Sequence, residues 1–214
     1  TAGWTSSCAP ISKANGAKPE PPQHMRILAV SDEVIPWMYS PAIKDRVGDV
    51  DLVISCGDLP IYYLEFIASS LDRPCVYVRG NHDQYEIGPN GVIKTHPGGW
   101  IPLDMTREEV GGLQIGGLDG CLRYNADAPY QYTQQEQWLR AWVLASRCLG
   151  PLMARKQALD ILVTHAPPYA IHNGNDHAHT GFHAINWIMR AMKPRFVLHG
   201  HQHRNYAMLQ SGET

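Results

Sequence analysis

At 214 residues, 44% of them hydrophobic, the chain fits one domain able to bury most of its apolar surface without disulfides. A net charge of -2 and a pI near 6.6 give no broad electrostatic attraction to nucleic acid or to an anionic membrane. Five widely spaced cysteines without a C-x-x-C pair argue against a disulfide framework or a zinc ribbon, and no apolar run approaches the roughly 18 residues that span a bilayer or forms a secretion signal, so a reducing, cytoplasmic setting is expected.

Residues 1–25 set Pro10, Pro19, Pro21 and Pro22 among Ser, Gly and Lys; they read as a disordered leader or an added extension, with the domain proper over 26–214. Arg26 to Asp32 is an apolar run ending in a carboxylate, as a strand buried on both faces would be. Asp51 to Asp58 repeats that design. Pro60 to Leu71 places proline at its start and Tyr63, Leu64, Ile67 and Leu71 on one side, which predicts a helix. Cys75 to Arg79 is a third strand, followed at once by Gly80-Asn81-His82-Asp83. This alternation predicts βαβ units with parallel strands, whose carboxyl ends are where an open sheet presents its chemistry.

Residues 84–99, with two prolines and four glycines, read as loop. Trp100 to Leu103 and Leu113 to Leu118 read as strands of a second set, the latter weakened by Gly116-Gly117. Thr133-Gln134-Gln135-Glu136 is a capping box that opens a helix running to about Leu149, where Pro151 interrupts it; residues 152–158 could continue as a second short helix. Asp160 to His165 is a fourth strand, 166–180 a loop, and Phe182 to Met192 returns to helical spacing. Arg195 to His199 is a fifth strand, ending at Gly200-His201-Gln202-His203. Asn205 to Gln210 could be one more.

The strand ends therefore collect Asp32, Asp58, Asn81, His82, Asp83, His165, His201 and His203. Carboxylate, amide oxygen and imidazole are the donors of a mixed N/O site for Zn, Mn or Fe. One such residue at a strand end is usually satisfied locally. Five successive strand ends would each lose hydration at the sheet rim unless a cation offset the loss.

This order resembles the calcineurin-like metallophosphoesterase family, with Gly57-Asp58, Gly80-Asn81-His82-Asp83, Thr164-His165 and Gly200-His201-Gln202-His203 matching its motifs from about Arg26 to Arg204. The resemblance implies a four-layer α/β/β/α sandwich of two mixed sheets and two divalent metal ions (Mn, Fe or Zn). By it, Asp58 would bridge the ions, with Asp32 and His203 serving the first and Asn81, His165 and His201 the second. His82 would protonate the leaving oxygen and Asp83 would orient its ring. One position departs: Asp32-Glu33-Val34 has valine where the family has a histidine ligand, which should weaken the first site, and Glu33, next to Asp32, tends to point elsewhere.

Other residues carry weaker expectations. Arg123 could hold a substrate phosphate through its fork of donors, or form a surface salt bridge instead. His172, His177 and His179 suit a solvated loop better than a substrate mouth, and His199 a packed strand. Trp138, Trp142 and Trp187 fit core-facing helical positions. The expected activity is hydrolysis of a small phosphorylated molecule as a phosphodiesterase or phosphomonoesterase. The alternatives are a single-metal hydrolase and a noncatalytic scaffold that binds a protein partner. The end at Thr214 suggests a shortened second sheet or a truncated chain, whose open edge could pair with another copy to give a homo-oligomer.

Overall fold

A computed structural model describes residues 25–88, 91–154, 156–172, 174 and 176–202. In chain order its elements are β1 (Ile27–Val30), α1 (Ile43–Val47), β2 (Leu52–Ser55), α2 (Ile61–Leu71), β3 (Cys75–Tyr77), β4 (Glu86–Ile87), β5 (Ile93–Lys94), β6 (Trp100–Pro102), β7 (Arg107–Val110), β8 (Leu113–Leu118), β9 (Cys121–Leu122), β10 (Gln131–Tyr132), α3 (Gln134–Met153), β11 (Ile161–Thr164), α4 (His183–Met192) and β12 (Phe196–His199). One four-stranded sheet has the order β1-β2-β3-β6, all parallel; a second has the order β12-β11-β8-β7, parallel except for β7 against β8.

Local chemistry explains the helices. α2 follows Pro60 and buries Tyr63, Leu64, Ile67 and Leu71. It ends where Asp72 turns left-handed, its N–H donating to the Ala68 carbonyl. Both halves of the capping box open α3: the Glu136 N–H donates to Thr133 Oγ1 and the Thr133 N–H to Glu136 Oε2, at 3.2 and 2.7 Å.

Three apolar clusters hold these parts together. Val53, Cys75 and Tyr77 meet Ile43, Tyr63, Leu64 and Ile67, fixing α1 and α2 to the first sheet. Ile54 and Val76 of the first sheet, with Val78 just past β3, meet Ile115, Ile161 and Val163 of the second. Leu118 and Leu162 meet Leu144, Cys148, Ile185 and Ile188, fixing α3 and α4 to the second sheet. Because the strands that matter run parallel, their carboxyl ends share one rim; Leu118, Thr164 and His199 stand in register there.

Several expectations are corrected. Trp100–Pro102 pairs with β3 and so belongs to the first sheet rather than a second set. The 84–99 stretch contains the small β4–β5 hairpin, tied to α2 by Lys94–Glu65 and by the Tyr62 N–H donating to Glu86. α3 runs through Pro151 to Met153, and among the described residues of 152–158 no second helix follows. A proline this close to a helix end removes little of the hydrogen-bond ladder. Trp142 is 58% exposed and thus not a core residue. No helix among the described residues is long and apolar enough to cross a membrane. The expected leader up to residue 24 and the expected strand Asn205 to Gln210 lie outside the described residues.

Candidate metal centre

The rim receives Asp32 after β1, Asp58 after β2, Asn81 after β3, His165 after β11 and His201 after β12. Asp32, Asp58 and His201 all adopt left-handed backbone, with φ of 64°, 58° and 66°. This is a costly conformation for a residue with a Cβ, and one that clusters at functional sites. Two glycines allow the loops to close on one another. A Cβ at Gly80 would overlap Asp58 Oδ1, and one at Gly200 would overlap Ser31 Oγ.

His165, fully buried, is the centre of the cluster. Its Nε2 stands 3.0 Å from Asn81 Oδ1, 3.1 Å from His201 Nδ1 and 3.3 Å from Asp58 Oδ2. The ligand atoms of Asp58, His165 and His201 all lie within 4.8 Å of one another. What matters is which way each donor faces. His165 Nδ1 donates to the Cys56 carbonyl at 2.7 Å and His201 Nε2 to the Ala178 carbonyl at 3.0 Å, which leaves the two inward nitrogens as lone pairs. Asn81 Nδ2 donates to the Tyr124 hydroxyl at 3.0 Å, which turns its oxygen inward.

Four acceptors thus face one point. Each buried acceptor left unmatched costs about 1–3 kcal/mol, so the set needs a positive charge at its middle. A proton on His165 is one such charge: burial opposes it, but the Asp58 carboxylate outweighs burial and raises the His165 pKa. Burial likewise works against the Asp58 charge, and the hydrogen bond from His165 and the nearby ring hold its pKa below the usual value. His201 is pushed down to about 4 by burial and by the neighbouring His165. A divalent cation satisfies all four at once, and separations of 3.0–3.3 Å suit neighbouring ligands at bond lengths of about 2.0–2.2 Å. The residues present therefore fit a metal ion. Imidazole N–H groups held by backbone carbonyls are the usual outer support of such a site.

The other half of the expected centre is built differently. Asp32 turns both carboxylate oxygens to the His201 N–H, at 3.0 and 3.1 Å. Val34 is half-buried and packs on the α1–α2 cluster, and Glu33 is exposed. His203 lies outside the described residues.

His82 is exposed, and its backbone N–H donates to Asp58 Oδ1 at 2.8 Å. With Asp58, Leu59, Pro60, Gln84 and Tyr85 it lines an open cleft of about 300 Å³. Asp83 does not orient the His82 ring. Its Oδ1 accepts the Leu59 N–H at 3.1 Å and its Oδ2 the Gly80 N–H at 2.8 Å, so it fastens the β2 and β3 loops together. Burial, countered by the Gly80 N–H and reinforced by the Asp58 charge, pushes its pKa up to about 6. Arg123 pairs with Glu136 Oε2 at 2.8 Å and donates to the Gln131 carbonyl, the salt bridge that was one of its two expected roles.

Sequence reasoning missed the supports. Tyr124 holds Asn81, and His179, fixed to Asp176 at 2.7 Å, stacks on the His201 ring with centroids 4.5 Å apart. His172 and His199 face each other through ring nitrogens at 3.1 Å. Backbone carbonyls such as those of Cys56 and Ala178 leave no signal in residue types. The only textual hint of Tyr124 is its place beside Arg123.

Comparison with known proteins agrees with this geometry. The model of the calcineurin-like phosphoesterase family matches residues 25–205. No curated protein shows a significant match to the chain. A family match spanning the whole described body, together with the convergence of its strand-end ligands, leads to one conclusion: the chain belongs to the calcineurin-like phosphoesterase family.

Proposed function

We propose that the chain hydrolyses the phosphate ester of a small phosphorylated molecule, as a phosphodiesterase or phosphomonoesterase, on a four-layer α/β/β/α frame. The observation that carries this reading is the inward-facing acceptor set of Asp58, Asn81, His165 and His201 beside the exposed His82 at the cleft wall. Divalent ions such as Mn, Fe or Zn, held by these residues at the second site and by Asp58, Asp32 and His203 at the first, would balance phosphoryl charge and activate water.

The remaining work falls to the chain's own groups. Asp58 presents one oxygen to the cluster and the other to the His82 N–H, which seats the His82 ring beside the same carboxylate. From the cleft wall that imidazole can hand a proton to the departing oxygen. Asp83 keeps the loop from shifting by clamping Gly80 and Leu59. Parallel assays of the chain reconstituted with Mn, Zn or Fe, against mononucleotides, cyclic nucleotides and simple phosphodiesters, test the proposal. Turnover in one class supports it, and no turnover with full metal loading overturns it.

A second reading has its own observation. Val34 is turned into the α1–α2 core, and Asp32 is occupied by a backbone N–H. Both favour one tightly held ion per chain, which metal analysis after dialysis would count directly.

A further inference from the structure

The outer face of α3 is apolar where a surface helix is normally charged. Leu139, Trp142, Leu149 and Met153 are 68%, 58%, 54% and 84% exposed, with Val143 beside them. The inner face, built from Gln137, Ala141, Leu144, Ala145 and Cys148, is already buried against the second sheet and α4. The exposed residues are therefore a second stripe on the far side of the same helix, and the fold leaves it uncovered among the described residues.

The spacing of that stripe is informative. Leu139, Trp142, Ser146, Leu149 and Met153 follow steps of three, four, three and four. That spacing keeps the five residues on one face of the helix, in the 3.5-residue rhythm that paired helices use for their seam. The seam reads alike in both directions, with large apolar residues at each end and the small Ser146 at its centre. The Ser146 hydroxyl donates to the Val143 carbonyl at 2.6 Å and so needs no water when covered. Trp142 is held as a platform by Trp187 of α4, with ring centroids 4.6 Å apart. Gly150 opens onto empty space.

From this seam we infer that α3 is the interface of a homodimer in which two copies pack their α3 helices antiparallel about a twofold axis near Ser146. A twofold places Trp142 of one copy over the small Ser146–Gly150 stretch of its partner, and the Leu139 end against the Leu149–Met153 end. Counting only the exposed fractions of these side chains, with Ser146 and Gly150 between them, the stripe supplies the apolar centre of an interface whose full extent is roughly 800 Å² per partner. A bound membrane surface would call for basic residues flanking the apolar stripe. Among the exposed positions of α3 only Arg147 is cationic, and it lies off the seam.

Sedimentation of the full chain at micromolar concentration tests the inference, with disulfide trapping of Ser146→Cys in a Cys8→Ser background, where the four described cysteines are buried. The expected result is a dimer that Ser146→Cys links covalently on oxidation. Trp142→Lys combined with Leu149→Lys should weaken pairing by roughly 100-fold or more and abolish the link. The unaltered inner face of α3 should keep its circular dichroism native. A monomer overturns the inference, as does a dimer that survives the double substitution or that Ser146→Cys fails to link. So does a monomer that instead binds anionic vesicles through this face.

Discussion

The two halves of the candidate centre are finished to different degrees. Around His165 every donor is locked from behind: Cys56 and Ala178 carbonyls hold the imidazoles and Tyr124 holds the amide. Around Asp32 the carboxylate leans on a backbone N–H, and the position that could complete the set is a valine packed elsewhere. Preorganisation by outer contacts is what separates a site that holds its ion from one that exchanges it. The contrast therefore predicts unequal affinity rather than a missing function.

The largest expected effect comes from His165→Ala, which should abolish hydrolysis and lower affinity for the tight ion by more than roughly 100-fold, beyond what outer contacts alone contribute. Asp32→Ala should leave that ion bound; equal losses in the two variants, measured by metal content after dialysis, would erase the contrast. His82→Ala should slow esters with poor leaving groups by about 10²–10⁴-fold and spare a good-leaving-group aryl ester, with metal content unchanged. Tyr124→Phe keeps the ring but weakens the hydroxyl's hold on Asn81, and should cost about 10-fold in metal affinity, recovered by added metal. Val34→His should raise occupancy of the first site in metal titrations, and no gain would mean that the open half is limited by something other than its missing ligand.

The smallest effect concerns the support behind Asn81. Asp119 accepts the Arg79 N–H at 2.8 Å, and its pKa is pushed up to about 7 by burial and by Asp104, with Arg79 and Arg140 opposing. A carboxyl with a raised folded-state pKa stabilises the fold most below its unfolded value of 3.8, and that contribution is lost as the pH rises towards 7. Urea unfolding should then give lower stability at pH 8 than at pH 5. Asp119→Asn should flatten that difference.

Much of this was legible in residue order. An apolar run that ends in Asp, Asn or His announces both a buried parallel strand and the place where its loop meets the others, and Ile27–Val30, Leu52–Ser55, Cys75–Tyr77, Ile161–Thr164 and Phe196–His199 are those strands. The sheet membership of Trp100–Pro102 was not legible, because nothing local records that its partner is β3. The two-residue ladders β4–β5 and β9–β10 are too short to carry a period. Trp142 has core-like chemistry at an outer helical position, so its type and its place disagree. Asp83 and Arg123 carry the right groups for the tasks expected of them, but their hydrogen bonds are taken up by the Gly80 and Leu59 N–H groups and by Glu136.

The bond from the His201 N–H to Asp32 joins positions 169 residues apart. A nascent chain leaving the ribosome carries its carboxylates long before the closing imidazole exists, so ion capture belongs to the end of synthesis. Folding dominated by such distant pairings is slow, and a cofactor that binds only the completed fold draws the whole chain towards it by mass action. Supply of the ion during production should therefore govern how much folded protein is recovered.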